Sequence, residues 1–240
     1  TKRFLEVAPD DEELQRLHAL GSLYDNKIDE AVSEYERLLG RNPDDKEALV
    51  NLALAHGQKM RTDSQAVDYY NRALNIQPDN DKLHLAMARV YLDRNDGSKA
   101  VESYKKALKA RENNEQNVIA HITTVLSEQP EVLRLRWFLV EVLVSYGHFR
   151  EALEQIDYIA TNHPGQTGNI LSALETILGK DPQNVTALVQ RGTMLLSSDK
   201  VGEAIKALEK AYELRPVEAE IQEKLVQAYQ AQLEKRDDPA

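Results

Sequence analysis

The chain has 240 residues, with 30 Lys and Arg against 40 Asp and Glu, a formal net charge of −10 at pH 7 and 42% hydrophobic residues. This is the composition of a folded chain rather than a disordered one, and its acidic balance argues against nucleic acid and anionic membranes as main partners. It has no cysteine, which excludes disulfides, thiolate zinc sites and thiol nucleophiles, and no stretch approaches the ~18 apolar residues of a membrane span.

In chain order, RFLEVAPDD at 3–11 reads as the end of a helix closed by Pro9. Further prolines stand at Pro43, Pro78, Pro130, Pro164, Pro182, Pro216 and Pro239, at successive spacings of 34, 35, 52, 34, 18, 34 and 23. A step near 34 recurs, and the 52 is itself 34 with 18 added. Between the prolines, apolar residues recur three and four apart, the pattern of amphipathic helices. Examples are KIDEAVSEYERLLGRNPDD around Ala31, GSKAVESYKKALKA around Ala100 and VGEAIKALEKAYELRPVE around Ala204. A second helix precedes each, as in EALVNLALAH from Glu47 and KLHLAMARVYL from Lys82. Asn26, Asp96-Gly97 and Gly147 fall in the turns between, where a residue tolerant of positive φ is useful. Proline closes each second helix because it cannot continue the backbone bonding. Asp44, Asp45, Asn80 and Asn184 are placed to cap the helices that follow.

On these residues the chain resembles the tetratricopeptide repeat family, whose 34-residue unit is a helical hairpin. Five units fit, at 12–45, 46–80, 81–114, 133–166 and 185–218. The small slot of the second helix holds Ala31, Ala66, Ala100, Ala152 and Ala204, with Tyr35, Tyr70, Tyr104, Ile156 and Leu208 four residues on. The small slot of the first helix holds Ala19, Ala53, Ala88, Val140 and Gly192. The family's Trp slot is poorly matched, by Gln15, Leu49, His84, Arg136 and Leu188. The third unit has Glu112 where the closing proline belongs. The resemblance implies an all-α, right-handed solenoid.

Two segments depart from the unit, 115–132 and 167–184, each a lone helix and linker. They predict a kink or change of path, with breaks at Asn113-Asn114 and Gly165 to Gly168. The first helix of 133–166, VLRLRWFLVEVLVSYG, is apolar nearly all round, which predicts burial on most faces beneath one of the lone helices. Residues 219–235 read as a capping helix with a polar outer side, followed by a charged tail at 236–240. The match of 1–11 to the end of a second helix predicts that the chain begins inside a longer array.

No residue pattern carries catalysis. The six histidines form no HExxH or paired ligand set, the acidic pairs Asp10-Asp11 and Asp44-Asp45 stand where they cap helices, and Gly165 to Gly168 follows a helix rather than a strand. The expectation is a non-enzymatic chain with no cofactor and no metal. The remaining asset is a surface. In the family the first helices line a concave side, and the resemblance implies such a row here. It comprises Arg16, Leu20 and Leu23; Val50, Asn51 and Leu54; Lys82, Leu85, Arg89 and Leu92; Trp137, Glu141 and Val144; and Val189, Thr193 and Leu196. Some members clamp a peptide's C-terminal carboxylate with five polar residues. Arg16, Asn51 and Lys82 match that clamp in kind, but Leu20 and Ala86 replace two donors, so aliphatic anchoring of a peptide or assembly subunit is the better expectation. Alternatives are the targeting arm of a larger enzyme and a self-assembling structural subunit, a homo-oligomer joined through the open first hairpin. No nucleic-acid partner and no insertion of this segment into a membrane are expected.

Overall fold

A computed structural model describes residues 11–237 of the chain, in two compact units divided between Leu135 and Arg136. The described residues form thirteen α-helices and no strand. They are α1 (Glu12–Tyr24), α2 (Ile28–Arg41), α3 (Lys46–Gln58), α4 (Ser64–Ile76), α5 (Asp81–Asp93), α6 (Gly97–Ala110), α7 (Glu115–Glu128), α8 (Leu133–Ser145), α9 (Phe149–Asn162), α10 (Thr167–Lys180), α11 (Val185–Ser197), α12 (Val201–Leu214) and α13 (Ala219–Asp237). Of the expected end of a preceding repeat, residues 1–11, only Asp11 is among the described residues, where it caps α1, and the last three residues of the tail also lie outside them. The helix expected to stop at residue 235 continues to Asp237.

Side-chain chemistry sets the helix ends. Asp45 accepts from the backbone N–H groups of Glu47 and Ala48, Asn80 from Leu83 and Asn184 from Ala187. Asp44 does not cap. A cap must directly precede the first helical residue, and Asp45 holds that place. Asp44 instead donates its backbone N–H to the Asn42 side chain. Asn26 and Gly147 have φ of +59° and +80° as the turns require, but in the third hairpin the left-handed residue is Asn95 at +58°. Asp96 is then free to cap α6, accepting from the Lys99 N–H. Helices α2, α4, α7, α9, α10 and α12 each stop two residues before a proline, because proline drives the residue before it out of the helical region. Where Glu112 replaces proline, Asn114 ends the unit. It is buried, donates to the Ala107 carbonyl at 2.8 Å and accepts from Arg111 and Asn117.

In the first unit, α1 packs on α2, α3 on α4 and α5 on α6, and each pair packs on the next helix. Close backbone approaches between alternate helices run along the odd row, α1 to α3 to α5 to α7, whereas α2 and α4 meet through side chains, Gln65 donating to Glu36 at 3.5 Å. Helix α7 therefore takes the place of the next first helix. In the second unit the odd row is α9, α11 and α13, and α10 and α12 stand apart. The five alanines of the small slot are fully buried, as are Tyr35, Tyr70, Tyr104 and Leu208, with Ile156 at 1% exposure. Alanine lets the facing helix approach, and the tyrosine fills the layer behind it. Tyr70 donates to the Arg61 carbonyl at 2.8 Å, and Tyr104 meets His121 Nδ1 at 3.0 Å. The poorly matched Trp slot is nevertheless core, since Gln15, Leu49, His84, Arg136 and Leu188 are all buried. Arg136 donates to Gln155 at 2.6 Å and lies 3.6 Å from the Tyr158 ring centroid.

Candidate functional site

In the first unit the predicted row is mostly occupied by the chain itself. Val50 and Leu92 are buried, at 5% and 4% exposure, and belong to the core rather than to a surface. Leu23 and Leu54 are half-buried against the core clusters of their hairpins. Arg16 pairs with Asp45 at 2.6 Å. Burial opposes ionisation of Asp45, but the Ala48 N–H and Arg16 outweigh it and hold the carboxyl below its ordinary range. Arg89 pairs with Glu128 at 2.6 Å and with Asp93 at 3.2 Å. Asn51 stands beside Tyr35, whose burial pushes its hydroxyl up to about 12. Leu20 and Leu85 are half-buried, and Lys82 is exposed. Two of the three cations in this part of the row, Arg16 and Arg89 but not Lys82, are thus paired with the chain's own carboxylates.

In the second unit, α8 is buried on most faces as its sequence predicts, with Phe138, Leu139, Val140, Val142, Leu143 and Val144 in the core. Helix α10 flanks it but does not close over it. A groove of about 440 Å³ remains between them. Its α8 side is Trp137, Val140, Glu141, Val144 and Ser145, and its α10 side is Asn169, Ser172, Ala173, Thr176 and Lys180. Trp137 is half-buried and donates its indole N–H to Gln166 at 3.2 Å, and Gln166 also accepts from Asn169 at 2.8 Å. One polar bracket therefore fixes both the indole and the N-terminal end of the groove. The floor is apolar, the facing wall consists of small side chains, and Glu141 and Lys180 supply charge of both signs at the walls.

Trp137, Glu141 and Val144 thus share one site, but the other predicted residues of this unit do not join it. Val189 and Thr193 lie on α11, in a separate cavity of about 260 Å³ with Ile156, Ile170 and Met194. Leu196 packs against the cluster beneath α13. The α10 wall is absent from the sequence prediction. Its signal is the helical spacing of Asn169, Ser172, Ala173 and Thr176, small residues opposite a tryptophan, which leave room where larger ones would fill it.

Two sequence models of the tetratricopeptide repeat family match, one over residues 17–81 and 171–219, the other over 64–118. Together they cover more than half of the chain, which belongs to the tetratricopeptide repeat family. Among solved structures, the fold is similar to that of YrrB, described as a TPR protein with an unusual peptide-binding site (19% identity, 79% of this chain and 96% of that one, TM-score 0.37). It is also similar to a tetratricopeptide repeat protein from Parabacteroides merdae (14%, 91% and 98%, TM-score 0.38). A third is the TPR2AB domain of yeast Sti1 in complex with pHSP90 (14%, 91% and 98%, TM-score 0.36). At these identities the likeness is one of fold alone. No curated protein sequence matches the chain. Among the described residues, no helix is long and apolar enough to cross a membrane, and no group of three or more His, Cys, Asp or Glu is arranged to hold a metal ion.

Proposed function

We propose that the chain is a non-enzymatic protein-interaction scaffold that holds a peptide segment of a partner in the groove between α8 and α10. The observation that carries this reading is the open volume of about 440 Å³ over Trp137, Val140 and Val144. A groove of that size, with an apolar floor and a few polar groups on its rim, has the dimensions of a ligand site. Two helices standing side by side suit a short amphipathic segment that lowers aliphatic or aromatic anchors, spaced three or four apart, onto the floor. Glu141 and Lys180 would fix its direction. A targeting arm of a larger enzyme would use the same groove, so that alternative changes the context rather than the contact.

The first-unit row of Arg16, Leu20, Asn51, Lys82 and Arg89 is the weaker candidate, because a carboxylate ligand would have to displace Asp45 or Glu128 from cations they already hold. The test is Ala173→Arg, which fills the groove from its α10 side without entering the core. A partner captured from the native source by the wild-type chain should be lost, with helical content unchanged by circular dichroism. The chain contains one tryptophan, so the emission of Trp137 should shift when the captured partner binds. Undiminished capture by the variant, with emission that does not respond, would overturn the groove.

A further inference from the structure

The last helix carries two apolar faces. Ile221 and Ala228, with Leu225 and Ala231 beside them, pack against Val185, Leu188, Val201, Ile205, Leu208 and Ala211. Val226, Tyr229 and Leu233 form a second row, spaced three and four apart and 53%, 40% and 56% exposed. The sequence reading expects a polar outer side here. The structure adds an apolar row among those polar residues, because burying Ile221 and Ala228 against α11 and α12 leaves Val226 and Leu233 exposed, with Tyr229 reaching α12 only through its hydroxyl. They are held in that position. The Tyr229 hydroxyl donates to Glu209 at 2.6 Å, and Lys235 pairs with Asp199 at 2.6 Å.

We propose that this face joins two copies of the chain, α13 against α13, antiparallel and related by a twofold axis near Tyr229. The occupant is a second copy because the helix is complementary to its own reversal. Turned about a point between Tyr229 and Gln230, Val226 comes level with Leu233 of the second copy, and Glu223 comes level with Arg236 of the second copy. Each match is made twice, as an isologous interface requires. Glu223 and Arg236 are both exposed on the single chain. Antiparallel packing also sets the N-terminal end of each helix dipole against the C-terminal end of the other. One pair of helices buries less than the ~800 Å² per partner of a standard interface, so the association is weak and concentration-dependent. It uses the opposite end of the chain from the first hairpin, and none of the groove residues.

The experiment is analytical ultracentrifugation of the full chain over a wide concentration range, in which the mass should climb from one chain toward two. Val226→Asp combined with Leu233→Asp should stay monomeric with unchanged circular dichroism, both sites being exposed. Glu223→Lys alone, and Arg236→Glu alone, should each weaken association by about tenfold, equivalent to ~1.4 kcal/mol. The two charge changes together should restore it. A wild-type chain monomeric at every concentration would overturn the proposal. So would an oligomer indifferent to the aspartate variant, or a double charge swap that regains nothing. Partner capture through the α8–α10 groove should be unaffected by any of these variants, so the two proposals stand or fall separately.

Discussion

One missing methyl group at Gly192 decides how closely α11 and α12 approach. A Cβ placed there would lie 2.5 Å from Leu208 Cγ, inside any allowed contact, and Leu208 is itself fully buried and has nowhere to retreat. Gly192→Ala gains ~1 kcal/mol of helix propensity but incurs overpacking of ~1–3 kcal/mol. The thermal midpoint should fall. Gly21→Ala in α1 is the control, since nothing lies within 4 Å of its Cβ position and its midpoint should hold or rise. The slot was legible in the sequence, because small residues recur at that place in the repeat. The partnership of Arg136 was not. Its neighbours Gln155 and Tyr158 come from α9, and spacing along one helix carries no record of which side chains stand across from it. Burial lowers the pKa of Arg136, and Tyr158 offsets it only in part. Arg136→Ala should therefore destabilise the chain more than Arg136→Met, which keeps the packed stem, as denaturant unfolding would measure.

At the scale of elements, proline spacing gave the helix ends because it acts locally, through the residue before it. The corner after α6 has no proline and depends on Asn114, which ties the Ala107 carbonyl to Arg111 and Asn117. Asn114→Ala removes these bonds at a buried position and should cost about 2–3 kcal/mol, one unmet buried acceptor included. Hydrogen exchange should speed up first in the last turn of α6 and the first turn of α7. The groove was harder to read. The repeat motif over 133–166 matches the others, so its first helix was assigned to the same row as theirs. The motif's small and aromatic slots record how the two helices of a hairpin meet, a relation that is nearly symmetric between them. They do not record which helix belongs to the touching row. In the second unit the touching row runs α9, α11 and α13, so it takes the second helix of 133–166 but the first helix of 185–218. Trp137 therefore faces α10, while Val189 and Thr193 sit in another cavity.

Across the whole molecule, acid should act on the two units unequally. The two histidines whose pKa burial depresses both lie in the first unit. His121 is pushed down to about 4 by burial, with Arg89 adding to the effect, and its Nδ1 accepts the Tyr104 hydroxyl only while neutral. His56 is fully buried, stacked on Tyr69 at 5.4 Å, and lowered by burial and then by Arg61. An unfolded histidine titrates near 6.5. Between that value and 4 the unfolded chain binds the extra proton and the folded chain does not, so stability rises with pH across this window. The contribution of His121 is complete above about 6.5 and is lost as the pH falls toward 4, for a total of about 3 kcal/mol. Asp45 and Asp63, whose pKa values lie below the ordinary range, hold their contributions until lower pH. Stacked helical repeats have mainly nearest-neighbour contacts and can lose one stretch before another. Amide exchange at pH 5 should therefore show protection lost in α3 to α7 while residues 136–237 keep theirs. His121→Gln, which removes the titrating group but keeps an acceptor for Tyr104, should shrink the difference. Earlier loss in the second unit, or a variant with the same acid profile as the wild type, would show that the buried histidines do not set the acid limit of the fold.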